Sequence, residues 1–241
     1  MSDSHDWITL HRVRFPDPVA ALDHDFPPAQ GPECWRFCPS HVLGDNNLPT
    51  WRSDVWCGFA IHADRASAQA MFDAPDRYFP ALAEGVEQWH ALAVPVQHRG
   101  AVNWRGMVQT DSAIRPSTAE HAGTLAVMTS ASFDDPKNPD EIPRISRFAV
   151  KVSEAVHFLG QQPGNLRHDV FNGGFDGLEG FTLTLWQSDD AMLRAAYHSG
   201  HHRKLMDESR DGSTFDRSSF TRLRIIGSHG SWSGDPLKDA A

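Results

Sequence analysis

Residues 181–209, FTLTLWQSDDAMLRAAYHSGHHRKLMDES, decide how the chain is read. Phe181, Leu183 and Leu185 alternate with Thr182, Thr184 and Trp186, the period of two that a half-buried strand needs. Gln187 and Ser188 close it. Ser188 or Asp189 can cap a helix by accepting a bond from a free backbone N–H, and acidic groups there suit the positive end of the helix dipole. Met192, Leu193, Ala196 and Tyr197 then recur at helical spacing until Gly200 interrupts. Beyond it, His202 stands three and four residues before Leu205 and Met206, so a renewed helix would set its imidazole on their apolar face. Such an imidazole is either a hydrogen-bonded core residue or a buried metal ligand. His198, His201 and His202 are therefore the candidate metal-ligating residues.

Working outward, residues 124–133 read as a strand, and 142–162 as the chain's clearest helix, with Ile145, Phe148, Val152, Ala155, Val156 and Leu159 on one stripe and Pro143 near its start. Residues 166–171 and 219–226 read as further strands. The first half shows strands at 7–15, 33–42, 55–63 and 90–100, with Pro95 an edge-type residue in the last. A short helix is predicted at 16–26, a helix broken near Pro75 at 64–82, and a loop at 44–54. Each half thus reads βαββαβ. Sliding the chain by 125 residues sets Asp64 on Asp189, Ala66 on Ala191, Ala70 on Ala195 and Phe72 on Tyr197, and the breakers Pro75 and Gly200 coincide. HRGAVNWRG around Trp104 echoes SHGSWSG around Trp232.

The expected fold class is α+β: tandem ferredoxin-like βαββαβ repeats forming a dimeric-α/β-barrel-type fold within one chain, with a cavity between sheet and helices. The expected boundaries are 1–106 for the first repeat, 107–122 for a polar connector, 123–234 for the second repeat and 235–241 for a polar tail. In the overlay His202 falls opposite Arg77, so the repeat supplies one candidate ligand histidine per chain.

A chain of 241 residues can bury a sizeable core. Its net charge of −9 argues against a phosphate-binding surface, so nucleic acid is set aside. There is no apolar run of membrane-span length, and the polar MSDSHDW start is unlike a signal peptide. Cys34, Cys38 and Cys57 lack paired zinc spacing and read as reduced thiols. A cytoplasmic location is expected. Eight Trp and fourteen Phe suit either a wide apolar pocket or a plain aromatic core.

From Thr124 to Leu237 the chain resembles the spheroidene monooxygenase family of haem proteins, which share the dimeric α+β barrel and are related more distantly to haem aldoxime dehydratases. The carriers are Pro163–Gly164, the TLTLWQSDDAM run, the SGHH step ending at His202, the FTRLR strand with Arg222, and the GSWSGDPL close. The resemblance implies haem b, with His202 as the iron's proximal ligand and His201 the alternative one residue away. It also matches Arg222 to an arginine of the last strand; Arg222, Arg147 and Arg144 are candidates to pair with haem propionates. The implied activity is a haem-dependent monooxygenase oxidising an apolar or aromatic small molecule, using O₂ or peroxide with an electron donor. Pairing of subunits into a homodimer is compatible with the family's fold.

Other readings stay open. The same haem could serve N–O chemistry of the aldoxime dehydratase type, with His62, His90, His157 or His168 as a distal acid or base. The chain could be a non-enzymatic haem or apolar-ligand carrier. His198 and His202 are four apart, as in a zinc or non-haem iron pair, although Gly200 separates them. Cys38, followed by Pro39, could give a thiolate ligand.

Overall fold

In the computed structural model, residues 5–23, 25–26, 31–43, 49–102, 114–172, 180–198 and 214–235 are described. The alternating run forms a strand, Gly180–Trp186. Phe181, Leu183 and Leu185 turn inward and are at most 2% exposed, while Thr182, Thr184 and Trp186 turn outward. It is one of eight: β1 Trp7–Arg14, β2 Cys34–Leu43, β3 Pro49–His62, β4 Glu87–Gly100, β5 Thr124–Ser132, β6 Asn165–Phe171, β7 Gly180–Trp186 and β8 Arg217–Gly230. The helices are α1 Arg65–Asp73, α2 Ile142–Gly160 and α3 Asp189–Leu193, the last running into a π-helical turn, Arg194–His198.

All eight strands close into one antiparallel barrel in the order β1-β3-β2-β6-β7-β5-β8-β4. Each half contributes four neighbouring strands in equivalent order, β4-β1-β3-β2 and β8-β5-β7-β6. The halves join along the long β4–β8 ladder and at a single β2–β6 step, Ser40 opposite Phe171. Closure gives every strand a neighbour on both sides, although the β2–β6 seam is only one pair long. The barrel interior is packed with Ile8, Leu10, Phe59, Ile61, Trp89 and Phe171, none measurably exposed. Each such side chain contributes about 1.5–3 kcal/mol of burial.

The internal likeness shows at particular positions. Asp64 caps α1 by accepting from Ser67 N–H, and Ser188 caps α3 by accepting from Ala191 N–H. Gly100 ends β4 and Gly230 ends β8, with φ of 119° and 83°. A Cβ there would lie 2.2 Å from Ser218 O and 2.1 Å from Gln88 O respectively, so only glycine fits against the partner strand. The Trp104 side of the echo lies outside the described residues. Trp232 is buried against Trp89, ring centroids 5.3 Å apart.

Two expectations are corrected. The described part of 16–26 holds no helix; Pro16 and Pro18 disfavour one, and it runs through bends and irregular backbone, bonded from Val19 N to Ser53 O and from Asp25 N to Tyr78 O. The loop predicted at 44–54 gives way from Pro49 to strand. Thr50 and Trp51 are good strand formers and pair with Val42 and His41 across the hairpin. Pro95 sits beyond the last β1–β4 pair, Ile8 opposite Ala93, where no β1 partner needs its missing N–H. Among the described residues no helix is long and apolar enough to cross a membrane.

Candidate functional site

The outward side chains of β7, β5, β8 and β4 line up in rows. Thr182, Thr129, Phe220 and Arg99 lie opposite one another in turn; one step along, Thr184, Val127, Arg222 and Gln97 form the next row. Over this floor lies α2, whose apolar stripe faces it with Ile145, Phe148, Ala149, Val152 and Val156. Between floor and helix is a cavity of about 660 Å³. Met192, Ala196 and Tyr197 from α3 and the π turn wall one side.

What props α2 off the sheet is visible at both its start and its middle. At the start, Arg144 makes a bidentate pair with Asp216 (3.0 and 2.9 Å) and a third bond to Glu141 (2.6 Å). Phe148 stands edge-on to Phe133 and Phe215, centroids 5.5 and 5.6 Å away. In the middle, the Ser153 hydroxyl donates to Ala149 O at 3.0 Å, so at 2.8 Å it accepts from His41 Nε2. That fixes His41 as the neutral Nε2–H tautomer, and burial lowers its pKa to about 4. His41 also lines the cavity.

The predicted site residues are placed as follows. His201 and His202 lie outside the described residues, as does the side chain of His198. The described residues on either side, Tyr197 and Thr214, both line the cavity, so the chain leaves for the histidine segment and returns from it at the cavity wall. Arg222 points to the floor side, bonded to Gln97 Oε1 at 3.4 Å and to Asp189 at the start of α3, which also holds Arg224. Burial, then Arg224 and Arg99, lowers the pKa of Arg222. Arg144 is engaged by Asp216 and Glu141, and Arg147 is exposed on α2. Cys38 packs inside the barrel and is not on the cavity wall. His62 and His90 lie on the other half, in a buried group with His11; His11 Nδ1 is 3.0 Å from His90 Nδ1. Among the described residues no group of three His, Cys, Asp or Glu is placed to hold a metal ion.

Sequence reasoning missed two wall residues. Arg99 lies within the HRG triplet, which the reading noted only as an echo. His41 gave no periodic signal, because β2 shifts register between Pro39 and Ser40.

No family model matches the chain, and no curated protein matches it. Solved structures do. An aldoxime dehydratase matches with TM-score 0.55 at 10% identity, over 92% of this chain and 82% of the other. An aldoxime dehydratase in complex with butyraldoxime matches with TM-score 0.54 at 11% identity, over 92% and 80%. A putative monooxygenase from Fusobacterium nucleatum aligns over 99% of both chains at 10% identity, with a TM-score of 0.41. At these identities the likeness shows the fold: an α+β barrel.

Proposed function

We propose that the chain is a haem-dependent oxidoreductase of the monooxygenase type, oxidising an apolar or aromatic small molecule in the cavity beneath α2, with iron held by His202. The observation that carries this reading is the cavity and its ends. Its volume of about 660 Å³ lies within the range of small-molecule sites, and the residues bracketing the histidine segment both line it. The opposed faces suit a flat macrocycle: an apolar helix stripe on one side, a sheet face with arginine on the other.

Bound haem b would supply the oxidative chemistry, with O₂ or peroxide and an electron donor as co-reactants. The chain's own residues bind and orient. His202 would present a neutral imidazole nitrogen to the iron. Of the three arginines, Arg222 is the one on the outer face of the floor strands, where it would have to exchange Asp189 for a propionate; Arg144 is engaged by Asp216 at the start of α2, and Arg147 faces solvent. Thr184 accepts from Trp186 Nε1 at 2.8 Å, which leaves its hydroxyl hydrogen to give to a bound molecule. The apolar stripe of α2 keeps water from the cavity and strengthens each of these contacts.

The equivalent strand orders support reading the barrel as tandem ferredoxin-like units, 1–106 and 123–234, the first without its early helix in the described part. Three buried cysteines, none of them in a disulfide, suit a reducing, cytoplasmic setting.

The test is the absorption spectrum of protein made with haem supplied, as isolated, reduced, and reduced with carbon monoxide. A stoichiometric Soret band that shifts with carbon monoxide is expected, lost in His202→Ala and kept in His201→Ala. Turnover of an apolar substrate with reductant and O₂ completes the case. Absence of a Soret band would refute the haem, and a band surviving both substitutions would refute the ligand. A ferrous shift on adding an aldoxime without O₂ would assign N–O chemistry, and haem without turnover a carrier.

A further inference from the structure

Arg99 stands apart from Arg222 and Arg224, which lie on the same outer sheet face but not on the cavity wall. Arg222 and Arg224 share the carboxylate of Asp189. Arg99 lines the cavity with its guanidinium carbon 5.7 Å from the centre of the Phe220 ring, and it has no carboxylate partner among the described residues. The two are register partners on β4 and β8, so the ring beneath the guanidinium is set by the barrel itself. A planar cation resting on an aromatic face keeps its in-plane N–H donors free to form a fork for a carboxylate. Its charged neighbours on the same face, Arg222 and Arg224, outnumber Asp189, so the floor carries surplus positive charge although the chain as a whole is at −9. Lys151 of α2 is a second cation on the wall, but a point charge without the planar fork of Arg99, and the remaining wall is mostly apolar or hydroxyl-bearing.

We propose that Arg99 is the anion-binding residue of this cavity, and that the molecule held there is apolar along its body and carries a carboxylate at the Arg99 end. This rests on the cavity beneath α2 being the binding site, as in the reading above. The carboxylate can belong to the cofactor, as a haem propionate, or to the substrate.

Two pairs of probes separate these sources. The first is 1-pyrenebutyrate against 1-pyrenebutanol, titrated by fluorescence. The second is haem against haem dimethyl ester, read as the half-time of transfer to an apo-globin acceptor. In the wild-type protein the acid of at least one pair is held about tenfold more firmly than its neutral analogue, a fair value for a charge-assisted contact near the surface. Arg99→Gln brings that pair to within about twofold, chiefly by weakening the acid, and Arg99→Lys restores part of the difference. A response confined to the pyrene pair assigns the carboxylate to the substrate, and one confined to the haem pair assigns it to the cofactor. No acid preference in either wild-type pair, or a preference untouched by Arg99→Gln, overturns the proposal. Near-native thermal midpoints for Arg99→Gln show that the change is not unfolding. Lack of haem uptake by wild-type protein would sink the haem reading alone, since the pyrene pair still reports on Arg99.

Discussion

The outer faces of the two barrel halves differ although their strands follow the same order. On the first half, the described part of 15–26, α1 and the short turns Pro75–Arg77 and Pro80–Glu84 pack directly on the sheet. Their side chains make a closed aromatic core: Phe79 is fully buried, with ring centroids 4.6 Å from Phe37, 5.5 Å from Phe26 and 5.6 Å from Trp35. On the second half, one long helix is held over the sheet by Arg144, the Phe148 cluster and the His41–Ser153 bond, and the space beneath stays open. Two sheets of equivalent strand order thus offer two outer surfaces, and the cover decides which of them stays open. Dense aromatic packing turns one into a structural core, and a propped helix turns the other into a container.

The sharpest way to break this comparison is to hollow the packed side. Phe79→Ala should destabilise the protein by about 3–5 kcal/mol, read as a lowered urea midpoint. Phe148→Ala, on a wall that already borders open space, should cost about half of that or less. Equal losses would mean that the two faces are packed alike.

Acid offers a second lever. His11, His62 and His90 are buried on the first half. Burial lowers the pKa of His62 to about 4, and burial with His229 nearby lowers that of His90 to about 3; His11 is pushed well down by burial, then by His90. An unfolded histidine takes its proton near 6.5. Between that value and the folded ones the unfolded chain binds more protons, so stability is complete above about pH 6.5 and falls as pH falls. We expect a loss on the order of 3 kcal/mol for each of these histidines by pH 4.5, read from urea midpoints across the range. Hydrogen exchange should quicken at α1, since His62 bonds Ser67 Oγ at its start (2.9 Å). A flat midpoint from pH 7 to 4.5 would contradict it.

Filling the container should do the reverse of hollowing the core. Thr129 is exposed in a central strand, which only the cavity above it explains. Thr129→Phe should therefore shift stability by no more than about 1 kcal/mol while haem uptake falls severalfold or more. The smallest effect is expected from Arg144→Ala, which breaks a partly exposed pair with Asp216. It should cost about 1 kcal/mol or less, and haem retention should hold.

Much of the barrel was legible in the sequence because its strands are written in the simplest code. Phe181, Leu183 and Leu185 alternate with polar residues, and β5, β6 and β8 fall close to where that period places them. The helix at 142–160 was plain from its stripe, and that stripe is the cavity roof. What escaped was non-local. The irregular course of the described part of 16–26 is tied to carbonyls of Ser53 and Tyr78, which no local pattern reveals. His41 meets Ser153 from 112 positions away, across the junction between halves. Arg99 becomes a wall residue only because β4 pairs with β8. Periodicity reports which face is apolar, and it is silent on how far the cover stands from it.

On this proposal the open face, not the packed one, takes the bound molecule. Hydrogen exchange by mass spectrometry, with and without haem supplied, distinguishes the two faces. Slower exchange is expected in α2, β7 and residues 199–213, with α1 and β1 unchanged. Protection centred on α1 and β1, or spread evenly over both halves, would contradict it.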